Sequence, residues 1–219
     1  MLTRRLEPEV CDTHEEASDY DAMDHSTVNA RFCEDFLLLA PDVTRVLDVG
    51  TGTALIPIEL CRRSPAAHVV AIDLSAEMLA LGATRVKDAG FADRVTLDRL
   101  DAKHTGLASG SFTAVVSNSI VHHIPEPGPV LAEMVRVLSP GGWLFVRDLL
   151  RPDSLADLRR IVETYASCAD DHQRGMFHNS LHAALTLDEI RELVRPLGFG
   201  ADAVQRTSDR HWTLAARRS

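Results

Sequence analysis

The sequence lacks long apolar runs, closely spaced cysteines and any excess of positive charge, and each absence removes a class of protein. No stretch of its 219 residues approaches the roughly 18 uncharged apolar residues that a membrane helix needs. The start, MLTRRLEPEV, runs into acids rather than into the apolar core of a signal sequence. Neither membrane insertion nor secretion is expected. Four cysteines (Cys11, Cys33, Cys61, Cys168) are widely spaced with no CxxC pair, so neither a disulfide framework nor a structural zinc site is indicated. A reducing cytoplasm fits best. Lys and Arg number 23 against 32 Asp and Glu, a formal charge of −9. Such a chain has no global attraction for a phosphate backbone, so nucleic acid is not an expected partner.

What remains is 45% hydrophobic and 25% charged, the balance of one soluble globular domain. Residues 7–24 carry eight acids and no Lys or Arg, without a clear apolar period, and read as an extended or loosely ordered arm. Tyr20 and Met23 are unusual in a merely solvated tail and would suit a lid. From Ser26, a plausible cap, to Ala40 the apolar residues Val28, Phe32, Phe36, Leu37 and Leu39 recur at helical spacing. Beyond it, short apolar runs alternate with helical patterns. Strands are expected at 44–49, 68–73, 94–97, 112–118 and 142–148, with helices at about 53–63, 75–89 and 129–138. Nearly continuous apolar strands separated by helices imply a parallel sheet covered on both faces, a doubly wound α/β architecture. Two more helices follow after residue 150, the second starting behind Thr186 with Glu189 three residues on, a capping-box pattern. Runs at 201–207 and 211–215, joined by SDR, suit a closing hairpin.

The first strand ends in RVLDVGTGTAL, giving Asp48, Gly50, Thr51 and Gly52, with Ala54 where a third glycine is usual. Glycines at a strand-to-helix turn let the backbone bend sharply and let a ligand lie close against it. The second strand ends in AIDLS, which places Asp73 about 20 residues on, where a carboxylate can accept from both hydroxyls of a ribose. Together the two features indicate a nucleoside-containing ligand at the C-terminal edge of the sheet.

At this point the residues resemble the class I S-adenosylmethionine-dependent methyltransferases. Asp48 to Ala54 looks like their motif I, Asp73 like the ribose-holding acid and Asp101-Ala102 like the adenine-edge motif. Ser117 to Ile124 looks like the motif after the fourth strand, and LSPGGW (Leu138 to Trp143) like the turn before the fifth. The pattern is most similar to the small-molecule branch that includes quinone-biosynthesis C-methyltransferases. The resemblance implies a Rossmann-like seven-stranded sheet, mostly parallel with an antiparallel last strand and helices on both faces. It implies one methyltransferase domain over 1–219: an arm and helix (1–43), a cofactor-binding core (44–148), and substrate-side helices with a closing hairpin (149–219). It further implies that Gly50 and Gly52 admit the methionine part of S-adenosylmethionine, with Asp48 fixing the loop. Asp73 would take the ribose, Leu74 and Met78 would wall the adenine, Asp101 and Ala102 would bond its edge, and Asn118 would face the cofactor amine. S-adenosylhomocysteine would be the product.

A sulfonium methyl is already electrophilic, so the protein's share is an in-line approach, a dry pocket and, for a protonated acceptor, a base. His122 and His123, just after the fourth strand, are the candidate bases, with His123 preferred. Arg147, at the end of the fifth strand, would suit an anionic acceptor, and Arg174, His178, His182 and Tyr20 are further candidates for acceptor contact. His178 and His182 would share a helical face, yet nothing completes a ligand set around them, so no metal site is expected. The expected activity is methyl transfer to a small polar or anionic molecule, by a monomer or homodimer. The alternatives are a non-catalytic S-adenosylmethionine-binding regulatory protein and, further off, a nicotinamide-dependent oxidoreductase.

Overall fold

The computed structural model describes residues 2–7 and 26–219. In chain order it has α1 (Ser26–Leu39), β1 (Arg45–Val49), α2 (Leu55–Arg63), β2 (His68–Asp73), α3 (Ala76–Asp88), β3 (Val95–Arg99) and β4 (Phe112–Asn118). There follow α4 (Gly128–Val137), β5 (Leu138–Leu149), α5 (Leu155–Tyr165), α6 (Asp171–Ala183), α7 (Leu187–Val194), β6 (Val204–Arg206) and β7 (His211–Arg217). The strands form one sheet in the order β3-β2-β1-β4-β5-β7-β6. β1 pairs in parallel with β2 and β4, and β2 with β3, in a register that sets Val46 beside Val69 and Ala114. β6 and β7 are antiparallel. The sheet is therefore the Rossmann-like arrangement expected, with the antiparallel last strand.

Chain order reverses at β1: the chain first builds outward to β3, then returns to lay β4 on the other side. Ligands of open α/β sheets bind at the carboxyl ends of the strands flanking such a reversal. Nearly every residue of β1 and β4 is buried, which fits central strands covered on both faces. No helix among the described residues is long and apolar enough to cross a membrane.

The described chain divides into two compact units. The first comprises residues 26–118, 129–146 and 215–219, and the second residues 2–7, 119–128 and 147–214. The core of the first is built where α1, α2 and α3 lay Phe32, Phe36, Ile58, Leu60 and Val86 on strand residues such as Val46, Val69, Val116 and Phe145. Phe32 meets Phe145 edge-on, with ring centroids 5.0 Å apart. Arg94 gathers the carbonyls of Cys61, Ser64 and Pro65 at 2.7–3.1 Å, satisfying backbone acceptors that the end of α2 leaves open.

The second unit has a smaller core of Leu149, Leu158, Ile161, Val162, Leu181 and Ala184, with Leu2 and Phe177 packed against it. Its three helices are all capped by side chains: Ser154 accepts from Asp157 N–H, Asp170 from Gln173 N–H, and Thr186 with Glu189 completes the expected capping box. The segment 2–7 is held by Arg4, whose guanidinium donates to the carbonyls of Ala183, His122, Ile124 and Pro125, and by Arg5 N–H donating to His182 O.

Several boundaries differ from the sequence reading. Ser26 is the first residue of α1 rather than a residue before it. LSPGGW, expected as a turn, is the first half of β5. A Cβ on Gly142 would lie 2.7 Å from Leu138 Cδ1 and 2.9 Å from Thr113 O, so backbone packs where a side chain would stand. β6 is short, with a 3₁₀ turn at Ala201–Ala203 in place of its first half. α6, with few apolar residues, was not expected as a separate helix. Of the acidic arm, Glu7 is described and proves tightly held; Tyr20 and Met23 lie outside the described residues.

Candidate functional site

In the first unit the polar residues of interest surround the turn after β1. Gly50 (φ 73°) and Gly52 (φ 55°) adopt the left-handed conformation that glycine reaches without cost, as their sequence positions demand. Gly50 N–H and Thr51 N–H both donate to Ile72 O at 2.9 Å, fastening the turn to the end of β2. Ala54 takes the third glycine's place at φ 62°, a strain of about 1 kcal/mol for a residue with a Cβ. The departure in sequence is thus a departure in side chain only, since the backbone keeps the glycine-like turn.

Asp73 is the centre of this arrangement. Its Oδ2 accepts from Gly52 N–H at 2.8 Å and its Oδ1 from Ser75 N–H at 2.9 Å. Ser75 in turn caps α3 by accepting from Met78 N–H. One carboxylate therefore fixes the glycine turn and the start of α3 together. Asp48 is 1% exposed. Burial pushes its carboxyl up to about 7; the Thr51 side chain works against this and the charge of Asp73 adds to it. Asp48 Oδ2, Thr53 Oγ1 and Asn118 Oδ1 are buried and make no hydrogen bond within the protein. Such atoms cost about 1–3 kcal/mol each unless a ligand or water pairs them.

Met78 is buried and Leu74 half-buried just beyond β2. Asp101 follows β3; its Oδ1 accepts from Lys103 N–H at 2.8 Å and lies 3.3 Å from Lys103 Nζ, beside the half-buried Ala102. Asn118 ends β4, where Ser117 Oγ donates to Val49 O at 2.8 Å and ties β4 to β1. The expected nucleoside-side residues thus all belong to one unit. Thr53 and Ser75, not singled out in the sequence, join them; the turn-and-cap position of each was the available signal.

The second unit brings together a different set. His122 and His123 lie in a 3₁₀ turn, Val121–His123, that follows a left-handed Ser119 (φ 59°). His122 is 3% exposed, and its Nδ1 is 2.5 Å from Asp148 Oδ1. Asp148 also accepts from the N–H groups of Val121, His122 and Leu149, so three backbone donors and the His122 ring together saturate its carboxylate. Burial opposes the charged imidazole, but the carboxylates of Asp148 and Glu7 outweigh it and raise the His122 pKa. Glu7 Oε1 lies 3.0 Å from His123 Nδ1 and 3.7 Å from His122 Nε2, and accepts from Ser180 Oγ at 3.0 Å. Burial and the neighbouring His122 lower the His123 pKa, although Glu7 works against them.

Arg147 is buried and its Nε donates to Thr213 Oγ1 at 2.9 Å. Arg174, His178 and His182 all lie on α6, and the two histidine rings meet edge-on with centroids 6.0 Å apart, the shared face that their spacing predicted. Glu7 and Asp148 are the functional candidates that sequence reasoning missed. Asp148 lies at the end of β5 with no spacing that pairs it with the histidines, and nothing in the acidic arm distinguishes Glu7 from its neighbours.

A family model described as a methyltransferase domain matches residues 47–146. The chain is 32% identical over 164 residues to an uncharacterized methyltransferase of Mycobacterium bovis, covering 71% of this chain and 78% of that one. It is 34% identical over 109 residues to the ubiquinone/menaquinone biosynthesis C-methyltransferase UbiE of a Geobacter species, covering 49% of this chain and 46% of that enzyme. It spans about half the length of several curated relatives that it matches, from 40% to 58%. Among solved structures, a SAM-dependent methyltransferase from Aquifex aeolicus superposes with a TM-score of 0.68 at 17% identity, over 94% of this chain and 99% of that one. That likeness concerns the fold.

Proposed function

The chain belongs to the class I S-adenosylmethionine-dependent methyltransferases, and from that premise we propose that it transfers a methyl group to a small polar or anionic molecule by direct displacement. The observation that carries this reading is the Asp73 carboxylate bridging Gly52 N–H and Ser75 N–H, beside the unpaired buried atoms of Asp48, Thr53 and Asn118. These residues fit an adenosyl amino acid. The Asp73 carboxylate at the end of β2 suits a vicinal ribose diol, Leu74 and Met78 supply apolar surface for a base, and Asp101 with the Ala102 N–H supplies an acceptor and a donor for its edge. Asp48 and Asn118 offer acceptors for an ammonium, which the turn at Gly50 and Gly52 lets approach.

When bound, S-adenosylmethionine supplies an electrophilic methyl and leaves as a neutral thioether. The rest of the work falls to this chain's residues. By the family resemblance the segment after β4 attends to the acceptor, which makes His122 and His123 the groups that handle its nucleophilic atom and its proton. The geometry favours His122 over the sequence-based preference for His123, because Asp148 fixes its ring and directs Nε2. Arg147, Arg174, His178 and His182 are the residues proposed to give the acceptor its polar contacts.

Titration calorimetry with S-adenosylhomocysteine tests the first half of this reading, and one-to-one binding is expected. Release of S-adenosylhomocysteine over a panel of small amines, carboxylates, phenols and phosphomonoesters tests the second. Binding without turnover of any acceptor would leave a cofactor-binding protein in place of an enzyme.

A further inference from the structure

The Glu7, His122 and His123 cluster offers one ligand atom from each residue, and these atoms all lie within 4.8 Å of one another. Each ring has a defined orientation. Asp148, which already accepts from three backbone N–H groups, accepts from the Nδ1–H of His122 and leaves its Nε2 as the acceptor nitrogen. That Nε2 faces Glu7 Oε1 at 3.7 Å, outside hydrogen-bond distance, and the same oxygen lies 3.0 Å from His123 Nδ1. The two separations bracket the ~3.3 Å edge of a tetrahedron with bonds of about 2.0–2.1 Å. A carboxylate that fixes the tautomer of a histidine whose other nitrogen faces a ligand set is the usual outer support of a metal-bound imidazole.

We propose that Glu7, His122 and His123 form a binding site for a divalent transition-metal ion, with Asp148 as the positioning residue behind His122. Two imidazoles and a carboxylate are donors of intermediate softness, which favours zinc, iron(II), cobalt or nickel over magnesium and calcium. Three protein ligands leave a coordination position open, as in catalytic rather than closed structural sites. Glu7 reaches the site because Arg4 pins its segment to the carbonyls of His122, Ile124, Pro125 and Ala183, and because Ser180 holds its carboxylate. Sequence spacing does not reveal this set, since Glu7 is more than 110 positions from the two histidines.

The site shares His122 and His123 with the methyl-transfer reading, but its test reads metal binding and does not depend on methyl transfer. Tag-free full-length protein, stripped with chelator, is dialysed against zinc and its bound metal measured by mass spectrometry, with Glu7→Gln, His123→Asn and His178→Asn in parallel. The expected result is one zinc per chain, binding at least ~10-fold weaker in Glu7→Gln and His123→Asn, and no change in His178→Asn. Cobalt(II) loading of the unaltered protein should give the intense visible bands of a low-symmetry four-coordinate site. Failure to retain zinc and to develop those bands, or retention unaffected by both Glu7→Gln and His123→Asn, would overturn the proposal. Loss of zinc in His178→Asn alone would do the same.

Discussion

The two units hold their polar groups in different ways. In the first, Asp73 and the glycine turn are fixed by the main chain of adjoining strands: Ile72 O, Gly52 N–H and Ser75 N–H all belong to β2, its loop or the turn itself. In the second, His122 and His123 are fixed by side chains from residues 2–7 and the end of β5, and Glu7 is held in turn by Ser180 of α6. A site framed by its own sheet withstands change at its rim. A site gathered by a six-residue segment fails when that segment lets go.

The contrast can be broken first at the level of the cores. Phe32→Ala removes a ring buried against Phe145 and should lower stability by about 3–5 kcal/mol, read as a fall in urea midpoint. Ile161→Ala in the smaller core of the second unit should cost about 2–5 kcal/mol. If the ranking came out reversed, the first unit would not be the better packed of the two.

Next comes the carboxylate that ties turn to helix. Asp73→Ala should weaken S-adenosylhomocysteine binding by about 100-fold or more in calorimetry, close to 3 kcal/mol, through lost charge-assisted bonds. Unchanged affinity would remove Asp73 from the site.

Asp48 supplies a pH test of the same unit. Its folded pKa of about 7 stands above the unfolded carboxylate value, so the native state holds the proton longer. The associated stability is present below about pH 4 and is lost as pH rises towards 7, at about 1.4 kcal/mol per unit. Asp48→Asn should therefore gain on the unaltered protein between pH 5 and 7 in denaturation midpoints, with a flat difference above that. A difference independent of pH would place the charge of Asp48 elsewhere.

In the second unit, Arg4→Ala should cost about 2 kcal/mol or less, because the guanidinium is part-exposed while its carbonyl partners regain water. Its signature is local: faster amide exchange at 122–125 and 183 with little effect near Asp73. Smallest of all, Ala54→Gly should relieve the left-handed strain for a net gain under about 1 kcal/mol, since the unfolded chain gains freedom too.

The same contrast explains what could be read in advance. The glycine turn, Asp73 and the adenine-edge acid lie within about 55 residues in strand-loop order, so motif spacing maps directly onto space. The boundaries of β1, β2 and β4 followed from continuous apolar runs. α6 did not, because residues such as His172, Arg174, His178 and Asn179 leave its buried face to Leu181, His182 and Ala183. Nor did the start of β5, where Pro140-Gly141-Gly142 signals a turn by local chemistry and is overruled by close packing against Thr113 O. The partnership of Glu7 with His123 spans about half of the chain, and no periodicity encodes such a distance.

Asp148 carries one last consequence, for sequence drift in any protein that keeps this packing. Three main-chain hydrogens and one ring hydrogen converge on its two oxygens. An amide of the same shape would turn hydrogens towards hydrogens, and a carboxylate one methylene longer would overshoot a place with no room. Position 148 is thus closed to its two nearest chemical neighbours at once, one by polarity and the other by reach.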